Sequence, residues 1–347
     1  MMKRFKTAAA LMAAGAMVLS MAACGSFSKP AETAQTTAAA ASSAAETAKA
    51  AETGAKKEDG AKYKIGVLQL VQHPALDKAN EGFVKALDDA GLSYEIDQQN
   101  ASGDQSACQT IASGLVANQN DLILAIATPA AQAVAGQTSD IPILVTAVTD
   151  PKDAGLVEDN QKPGNNVSGT SDLTPVKEQI ELLKRILPDA KTVGVMYSSA
   201  ESNSVLQAAL AKEACEANGF NYLDVTVSNS NEISDVVNSL VGKVDAIYCP
   251  TDNMIAAGMA TVSMVANENK IPVICGEEGM VDAGGLATYG IDYYQLGYMT
   301  GKQAVEILKD GKNISEMPIG YLDQEKCALK VNAETAKTLG IDPAAIK

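Results

Sequence analysis

The sequence contains one histidine, His73, and no tryptophan among its 347 residues. A metal site built from several histidines is therefore excluded, and a Ser-His or Cys-His hydrolase would have to use His73. Basic residues are also few, since 27 Lys and Arg stand against 42 Asp and Glu and give a net charge of −15. A nucleic-acid-binding surface needs basic side chains that contact phosphates. We therefore expect no nucleic-acid partner.

Sequence motifs for catalysis and phosphate binding are missing as well. The chain has no GxSxG nucleophile elbow, no Walker P-loop, no GxGxxG fingerprint and no HExxH pair. None of its cysteines forms a CxxC pair, so zinc and thioredoxin-like sites have no support. We expect no catalytic residues, no metal and no cofactor. An exported enzyme with His73 as its base is the alternative.

The composition is that of a folded protein with a substantial core. Hydrophobic residues make up 46% of the chain and charged residues 20%, and the length allows two or three domains. Five cysteines lie singly among apolar neighbours, and we interpret them as buried thiols because cysteine is often buried. These cysteines are Cys108, Cys215, Cys249, Cys275 and Cys327.

Residues 1–23 have the three parts of a secretion signal, which are a basic start, a short apolar stretch and small residues before a cleavage site. The apolar stretch is shorter than the roughly 20 residues that span a bilayer. Cleavage is expected before Cys24. The run Ala22-Ala23-Cys24-Gly25 resembles the lipobox of bacterial lipoproteins, and this resemblance implies a lipid on Cys24. An ordinary cleavable signal is the alternative.

The composition changes in residues 24–61, which consist mainly of Ala, Thr, Ser, Glu and Lys. Large apolar side chains are almost missing there, so the segment cannot bury enough surface to offset the entropy of ordering. We predict a flexible tether between the lipid and the folded part of the chain.

Short apolar strands alternate with helices from Tyr63 onward. Such alternation indicates βαβ units and a parallel sheet covered on both faces. The pattern recurs after about 125–130 positions, which we interpret as two similar α/β lobes from an internal duplication. Two unrelated Rossmann-like domains are the alternative. The predicted strands are residues 64–69, 93–97, 121–126 and 141–145 in the first lobe and 192–197, 222–227, 245–250 and 271–274 in the second.

Several segments together resemble a known family. They are residues 69–77 (QLVQHPALD), 127–131 (ATPAA), 146–151 (TAVTDP), 168–172 (SGTSD) and 250–253 (PTDN). With them the chain resembles the type I periplasmic binding proteins, which are the solute receptors of ABC importers, over residues 62–345. More narrowly, it is similar to the tryptophan- and tyrosine-binding lipoprotein branch of the ABC substrate-binding family.

The resemblance implies an α/β fold of two Rossmann-like lobes with parallel sheets, a ligand cleft between them and a hinge of three chain crossings. We place the crossings near residues 170–172, 289–290 and 320–323. The expected lobes are then residues 62–170 plus 290–320 and residues 171–289 plus 321–347. Closure about the hinge would trap the ligand. The implied partners are an ABC permease and its separate ATPase subunit, and the implied location is the outer face of a bacterial cell membrane.

Ligands bind open α/β sheets at the carboxyl ends of the strands. An amino-acid ligand needs helix N-termini for its carboxylate, a protein carboxylate for its ammonium and apolar walls for its side chain. Three helix starts fit the carboxylate, although plain N-capping is the alternative role. For the ammonium, Asp252 is the first choice and Asp150 or Glu277 are rivals, whereas Tyr197 and Tyr289 fit an aromatic wall. The candidate ligand-binding residues are Gln69, His73, Thr128, Pro129, Asp150, Ser171, Tyr197, Glu201, Asn203, Ser204, Asp252, Asn253, Glu277 and Tyr289.

We therefore expect a receptor for a small amino-acid-type ligand, with an aromatic side chain such as that of Trp, Tyr or Phe. A sugar or nucleoside receptor of the same fold is one alternative. Sugar sites in this fold often use tryptophan, which this chain lacks. A membrane-tethered ligand sensor is the other alternative.

Overall fold

The structure is a computed structural model that describes residues 62–323 and 327–346. The predicted signal peptide, Cys24 and the predicted tether lie outside the described residues. Within the described ranges, no helix combines the length and the apolar character that a membrane crossing needs.

Twelve strands and eleven α-helices alternate along the described chain. The strands are β1 (Tyr63–Gln69), β2 (Tyr94–Asn100), β3 (Leu122–Ile126), β4 (Ile143–Val148), β5 (Val167–Ser171), β6 (Thr192–Ser198), β7 (Asn221–Val227), β8 (Ala246–Cys249), β9 (Val273–Cys275), β10 (Ala287–Gly290), β11 (Gly320–Tyr321) and β12 (Ala328–Val331). The helices are α1 (Pro74–Asp89), α2 (Gln105–Ala117), α3 (Thr128–Ala135), α4 (Val176–Ile186), α5 (Ser202–Ala217), α6 (Ile233–Ser239), α7 (Asn253–Ala257), α8 (Met259–Glu268), α9 (Glu278–Asp282), α10 (Tyr293–Leu308) and α11 (Ala333–Leu339).

The strands form two six-stranded sheets, and each sheet is the centre of one lobe. The sheet of lobe 1 has the order β11-β5-β4-β3-β1-β2, and the sheet of lobe 2 has the order β12-β10-β9-β8-β6-β7. All pairings are parallel except that of β10 with β12. The two lobes therefore share one strand order and differ in the direction of the edge strand, β11 or β12. This arrangement confirms the predicted fold of two parallel-sheet α/β lobes.

Burial explains why the central strands are apolar. Every residue of β3, β4 and β8 is buried, as expected for parallel strands with helices on both faces. The edge strand β2 is mostly exposed along its second half, and its sequence is correspondingly polar. The prediction from continuous apolar runs therefore works best in the middle of each sheet.

The assignment of the described strands to the two sheets shows that the chain passes between the lobes three times. It leaves lobe 1 after β5, returns after β10 to form α10, and leaves again after β11. A buried hydrogen bond joins the first two crossings, because the hydroxyl of Tyr293 donates to Oδ2 of Asp172 at 2.8 Å. The hinge thus contains a polar contact between residues that lie far apart in the sequence.

All five cysteines that the structure describes are free thiols. Four are buried, as predicted, but Cys327 is only partly buried. Cys249 and Cys275 are paired in register on β8 and β9. Burial raises the pKa of the Cys249 and Cys275 thiols, so these side chains remain neutral and act as core residues.

Helix α10 returns to lobe 1 and packs closely against α1. Glycines on both helices make this approach possible, namely Gly82 on α1 and Gly297 and Gly301 on α10. A methyl group at Gly297 would overlap the carbonyl oxygen of Ala79, and one at Gly82 would overlap that of Tyr294. The backbones of the two helices are therefore in direct contact.

Gly297→Ala is expected to lower the free energy of unfolding by about 1–3 kcal/mol, because the two helices must move apart. Gly114→Ala is the matched control, since Gly114 lies on the exposed surface of α2 and an added methyl group meets nothing within 4 Å. We expect the control to raise stability by up to about 1 kcal/mol through helix propensity. Urea unfolding followed by circular dichroism measures both. Equal effects of the two substitutions would contradict the close packing.

Candidate ligand-binding site

The carboxyl ends of the two sheets face each other and are in contact. Hydrogen bonds connect side chains of lobe 1 with lobe 2, and one of them joins Gln132 Nε2 to Ser202 Oγ at 3.4 Å. Gln207 Nε2 donates to Thr149 Oγ1 at 3.1 Å, and Gln105 Nε2 donates to the carbonyl of Ala200 at 3.0 Å. Nε2 of His73 lies 3.3 Å from Oδ1 of Asn253. The lobes are therefore closed on each other.

A cavity of about 340 Å³ lies between the lobes. Its volume falls within the range of small-molecule sites. Most residues of its wall belong to loops or helix starts that follow a strand, as expected for the ligand edge of parallel sheets, whereas Ser198 ends β6 and Ala257 ends α7. The wall consists of Leu70, Val71, Ser102, Gly103, Gln105 and Pro129 from lobe 1 and Ser198, Ala200, Glu201, Ser228, Asn229, Ser230, Asn253, Met254 and Ala257 from lobe 2.

Glu201 is the acidic residue in the cavity wall, and its carboxylate is held by the start of α7. It accepts the backbone N–H groups of Asn253 at 3.3 Å and Met254 at 3.1 Å, and the Asn253 side-chain amide at 2.5 Å. Burial and the nearby charge of Asp252 raise the pKa of Glu201 to about 7. Sequence reasoning correctly placed Glu201 at the cleft, but its ligand contact stays a prediction.

Asp252 is buried beside Glu201 and caps the same helix. Its Oδ1 accepts the N–H of Ile255 at 2.8 Å, and its Oδ2 accepts the N–H of Ser198 at 2.6 Å. Burial is the main reason that the pKa of Asp252 is raised. The capping role weighed in the sequence analysis is therefore present. Both oxygens of Asp252 already accept backbone donors. Pairing of Asp252 with a ligand ammonium stays a prediction.

Gln207 is a central residue of the cleft that sequence reasoning missed. Besides Thr149 of lobe 1, its Nε2 contacts Oγ1 of Thr251 at 2.6 Å, and its Oε1 accepts the N–H of Thr251 at 3.3 Å. It lies four residues after Asn203 on α5 and therefore on the same helix face. That spacing from two predicted site residues, Asn203 and Ser204, was the signal available in the sequence.

Three predicted site residues have buried polar atoms without a hydrogen-bond partner among the described residues. They are Nδ1 of His73, Oγ1 of Thr128 and Oδ1 of Asn203. Such atoms are rare in folded proteins because leaving them unpaired is costly. Burial also lowers the pKa of His73, so its ring is neutral and Nδ1 accepts or donates according to tautomer. The three atoms belong to different loops, and none of the three residues is part of the cavity wall. Their contact with a ligand stays a prediction.

Other predicted residues hold the cleft loops in place. Gln69 donates to Asp77 at 2.7 Å, Asp150 accepts the N–H of Lys152 at 2.9 Å, and the hydroxyl of Ser171 donates to the carbonyl of Thr149 at 2.7 Å. Glu277 caps α9, and burial raises its pKa to about 7. Ser204 is buried at the start of α5, whereas Pro129 and Asn253 line the cavity.

The two predicted aromatic walls are not at the cavity. Tyr197 and Tyr289 pack with the core of lobe 2. The hydroxyl of Tyr289 accepts a hydrogen bond from Arg185 at 2.9 Å, and the guanidinium lies over its ring. Both tyrosines are at strand positions, where alternate side chains point to opposite faces of the sheet. Contact of these two tyrosines with a ligand stays a prediction.

Residues 64–344 match the family described as "ABC transporter substrate binding protein". The chain belongs to this family. Its members bind solutes outside the cytoplasm for ABC systems, which confirms the resemblance noted in the sequence. A curated relative, the tyrosine-binding protein of Clostridioides difficile (strain R20291), is 47% identical over 279 residues, which cover 79% of this chain and 80% of the relative.

Two solved structures show which lobe arrangement the chain adopts. A Streptococcus pneumonia ABC domain in complex with L-Trp is 41% identical, with a TM-score of 0.78 over 81% of this chain and 95% of that chain. The ligand-free, open structure of a Clostridium difficile substrate-binding protein with adhesive properties is 48% identical, but its TM-score is 0.62 over the same shares. The substrate-binding protein described here is thus closer to the ligand complex than to the open form, despite the lower sequence identity.

Gln207→Met is expected to raise the ratio of open to closed molecules of this substrate-binding protein by about 5- to 10-fold. The reason is that an interlobe hydrogen bond contributes roughly 1 kcal/mol to the closed arrangement. Small-angle X-ray scattering of the unliganded protein measures this as a larger radius of gyration. Gln105→Met is the matched control, since its interlobe hydrogen bond is exposed to water. If Gln105→Met increases the radius of gyration as much as Gln207→Met does, the buried hydrogen bond of Gln207 does not stabilise the closed arrangement more than the exposed one.

Proposed function

We propose that the protein captures an aromatic amino acid, such as Tyr, Trp or Phe, between its two lobes and delivers it to an ABC permease. The superposition on the L-Trp complex is the main support, since it combines 41% identity with a similar lobe arrangement. The similarity to the tyrosine-binding protein supports the same class of ligand. A separate ATPase subunit would drive transport, and the protein itself would release its ligand chemically unchanged.

The chemistry of the cavity is compatible with an amino acid that has a large side chain. Leu70, Val71, Pro129 and Met254 supply apolar contact, and a methionine sulfur packs favourably against aromatic rings. Polar groups from both lobes surround these side chains. Among the residues that the structure describes, no aromatic side chain lines the cavity. A sugar ring, which is usually held between aromatic side chains in this fold, therefore fits less well.

A thermal-shift screen tests the ligand class. The chain from Gly25 onward is unfolded and refolded to remove bound ligand, then mixed with amino acids, common sugars and nucleosides. We expect stabilisation by Tyr, Trp or Phe, because a ligand at about 1,000 times its Kd adds roughly 4 kcal/mol and raises Tm by several degrees. A response to sugars or nucleosides alone would contradict the proposed ligand.

We also propose that a lipid on Cys24 anchors the protein to the outer face of the cell membrane and that residues 24–61 form the tether. The lipobox-like run before Cys24 supports this proposal. Several acyl chains are needed for stable anchoring, because a single chain binds a membrane only marginally.

Cys24→Ser is expected to move the protein from the membrane fraction to the soluble fraction of cells, because the thiol that carries the lipid is lost. Immunoblots after fractionation and detergent phase separation measure the distribution. Cys327→Ser is the control, since that partly buried thiol belongs to the folded part of the chain. Unchanged membrane association of the Cys24→Ser protein would contradict the proposed lipid anchor.

A further inference from the structure

The wall of the interlobe cavity has one charged side chain among the described residues, and it is Glu201. The other described wall residues are apolar or uncharged, and none of them is lysine, arginine or histidine. Asp252 and Glu277 are buried at helix starts of lobe 2 but are not part of the wall. A ligand group that meets a protein carboxylate inside this cavity therefore meets Glu201.

The carboxyl group of Glu201 lies beside other residues of the cavity wall. Its oxygens accept the backbone N–H groups of Asn253 at 3.3 Å and Met254 at 3.1 Å, and both of these residues line the cavity. Asp252, by contrast, accepts the N–H of Ile255 at 2.8 Å and is only 1% exposed. Glu201 is thus the carboxyl group at the cavity, and Asp252 lies behind it.

The charge of Glu201 is not balanced by a basic side chain of the described residues. Neither Glu201 nor Asp252 forms an ion pair there, and burial and the charge of Asp252 raise the pKa of Glu201 to about 7. His73 is joined to Glu201 through Asn253 and is neutral, because burial lowers its pKa. Neighbouring buried carboxyl groups without a cation are costly. A positively charged group in the cavity would remove this cost.

The hydrogen bonds of Glu201 leave one oxygen open to a further donor. Oε2 accepts the main-chain and side-chain N–H groups of Asn253 at 3.3 and 2.5 Å and the side-chain amide of Asn203 at 3.3 Å. Among the described residues, Met254 is the one donor to Oε1. A carboxylate has about four lone-pair sites on its two oxygens. Oε1 can therefore accept a second hydrogen bond on the side of the cavity wall.

We propose that Oε1 of Glu201 accepts a hydrogen bond from the ammonium group of the ligand. An ammonium group carries a positive charge and three N–H donors, so it supplies both the cation and the donor that this carboxylate lacks. This inference rests on the proposed function, because it assigns one group of an amino-acid ligand to one residue. It replaces Asp252 with Glu201 as the partner of the ammonium and leaves Asp252 as a cap of α7.

Glu201→Gln tests the inference, because it removes the negative charge but keeps the size of the side chain and one oxygen for Asn253. Isothermal titration measures the Kd of L-tyrosine and of 3-(4-hydroxyphenyl)propionate, which lacks the amino group. L-tryptophan and indole-3-propionate form a second pair. The wild-type protein is expected to prefer the amino acid of each pair by roughly 30-fold or more, because the analogue leaves a buried carboxylate unpaired. In Glu201→Gln this preference is expected to fall to a few-fold.

Glu232→Gln is the matched control, because it removes the same charge beside the cavity. The carboxylate of Glu232 accepts the N–H of Ser228 at 3.2 Å and the side-chain amide of Asn229 at 2.6 Å, and both of these residues line the cavity. Glu232 itself is exposed and is not part of the wall. The control is expected to keep the wild-type preference.

Three results would overturn the inference while the proposed function stands, because the amino acids still bind in each of them. The first is a preference that Glu201→Gln keeps. The second is a wild-type protein that binds the analogues as tightly as the amino acids. The third is an equal loss of preference in Glu232→Gln, since charge near the cavity would then be sufficient. Wild-type protein that binds neither L-tyrosine nor L-tryptophan overturns both the inference and the proposed function.

A crystal structure of the wild-type protein with L-tyrosine or L-tryptophan decides the matter if Glu201→Gln does not fold. The inference requires the ligand nitrogen within about 3.2 Å of Oε1 of Glu201. A nitrogen that contacts Asp252, Asp150 or Glu277 instead, with Glu201 out of hydrogen-bonding range, overturns it.

Discussion

Contact between the carboxyl ends of two parallel sheets is the constraint on which the rest of this structure depends. These ends carry the polar loops of each lobe, so closing the lobes removes many hydrogen-bonding groups from water. The interlobe hydrogen bond between Gln207 and Thr149 satisfies some of them, and the starts of α7 and α9 satisfy the carboxylates of lobe 2. Closure of the lobes therefore depends on how completely these loops satisfy one another's hydrogen bonds.

Much of the fold could be predicted from the sequence, because β1, β3, β4 and β6 are continuous apolar runs separated by helical patterns. Strand β5 could not, since its sequence VSGTS is polar although every residue is buried. Its hydroxyl groups pair with distant partners, as Ser168 donates to Met317 and Thr170 contacts Thr300. Because these partners lie about 130–150 positions away, no local sequence pattern predicts that β5 is buried.

The loops of the candidate site could also be predicted from the sequence, but the contacts that each side chain makes could not. Helix-start residues such as Thr128, Glu201 and Asn253 lie at the cleft because parallel strands end at a common edge. Tyr197 and Tyr289 follow the same rule and yet pack into lobe 2. Asp172 was part of a recognised motif, but only tertiary geometry shows that one of its oxygens lacks a donor.

The same unsatisfied atoms explain how binding and closure can be coupled. In this closed arrangement His73, Thr128, Asn203 and Asp172 each bury one polar atom that has no hydrogen-bond partner among the described residues. Each such atom costs about 1–3 kcal/mol. A ligand that supplied the missing hydrogen bonds would remove this cost and so would bind the closed form more tightly than the open form. Only such a difference in affinity shifts an equilibrium between two conformations.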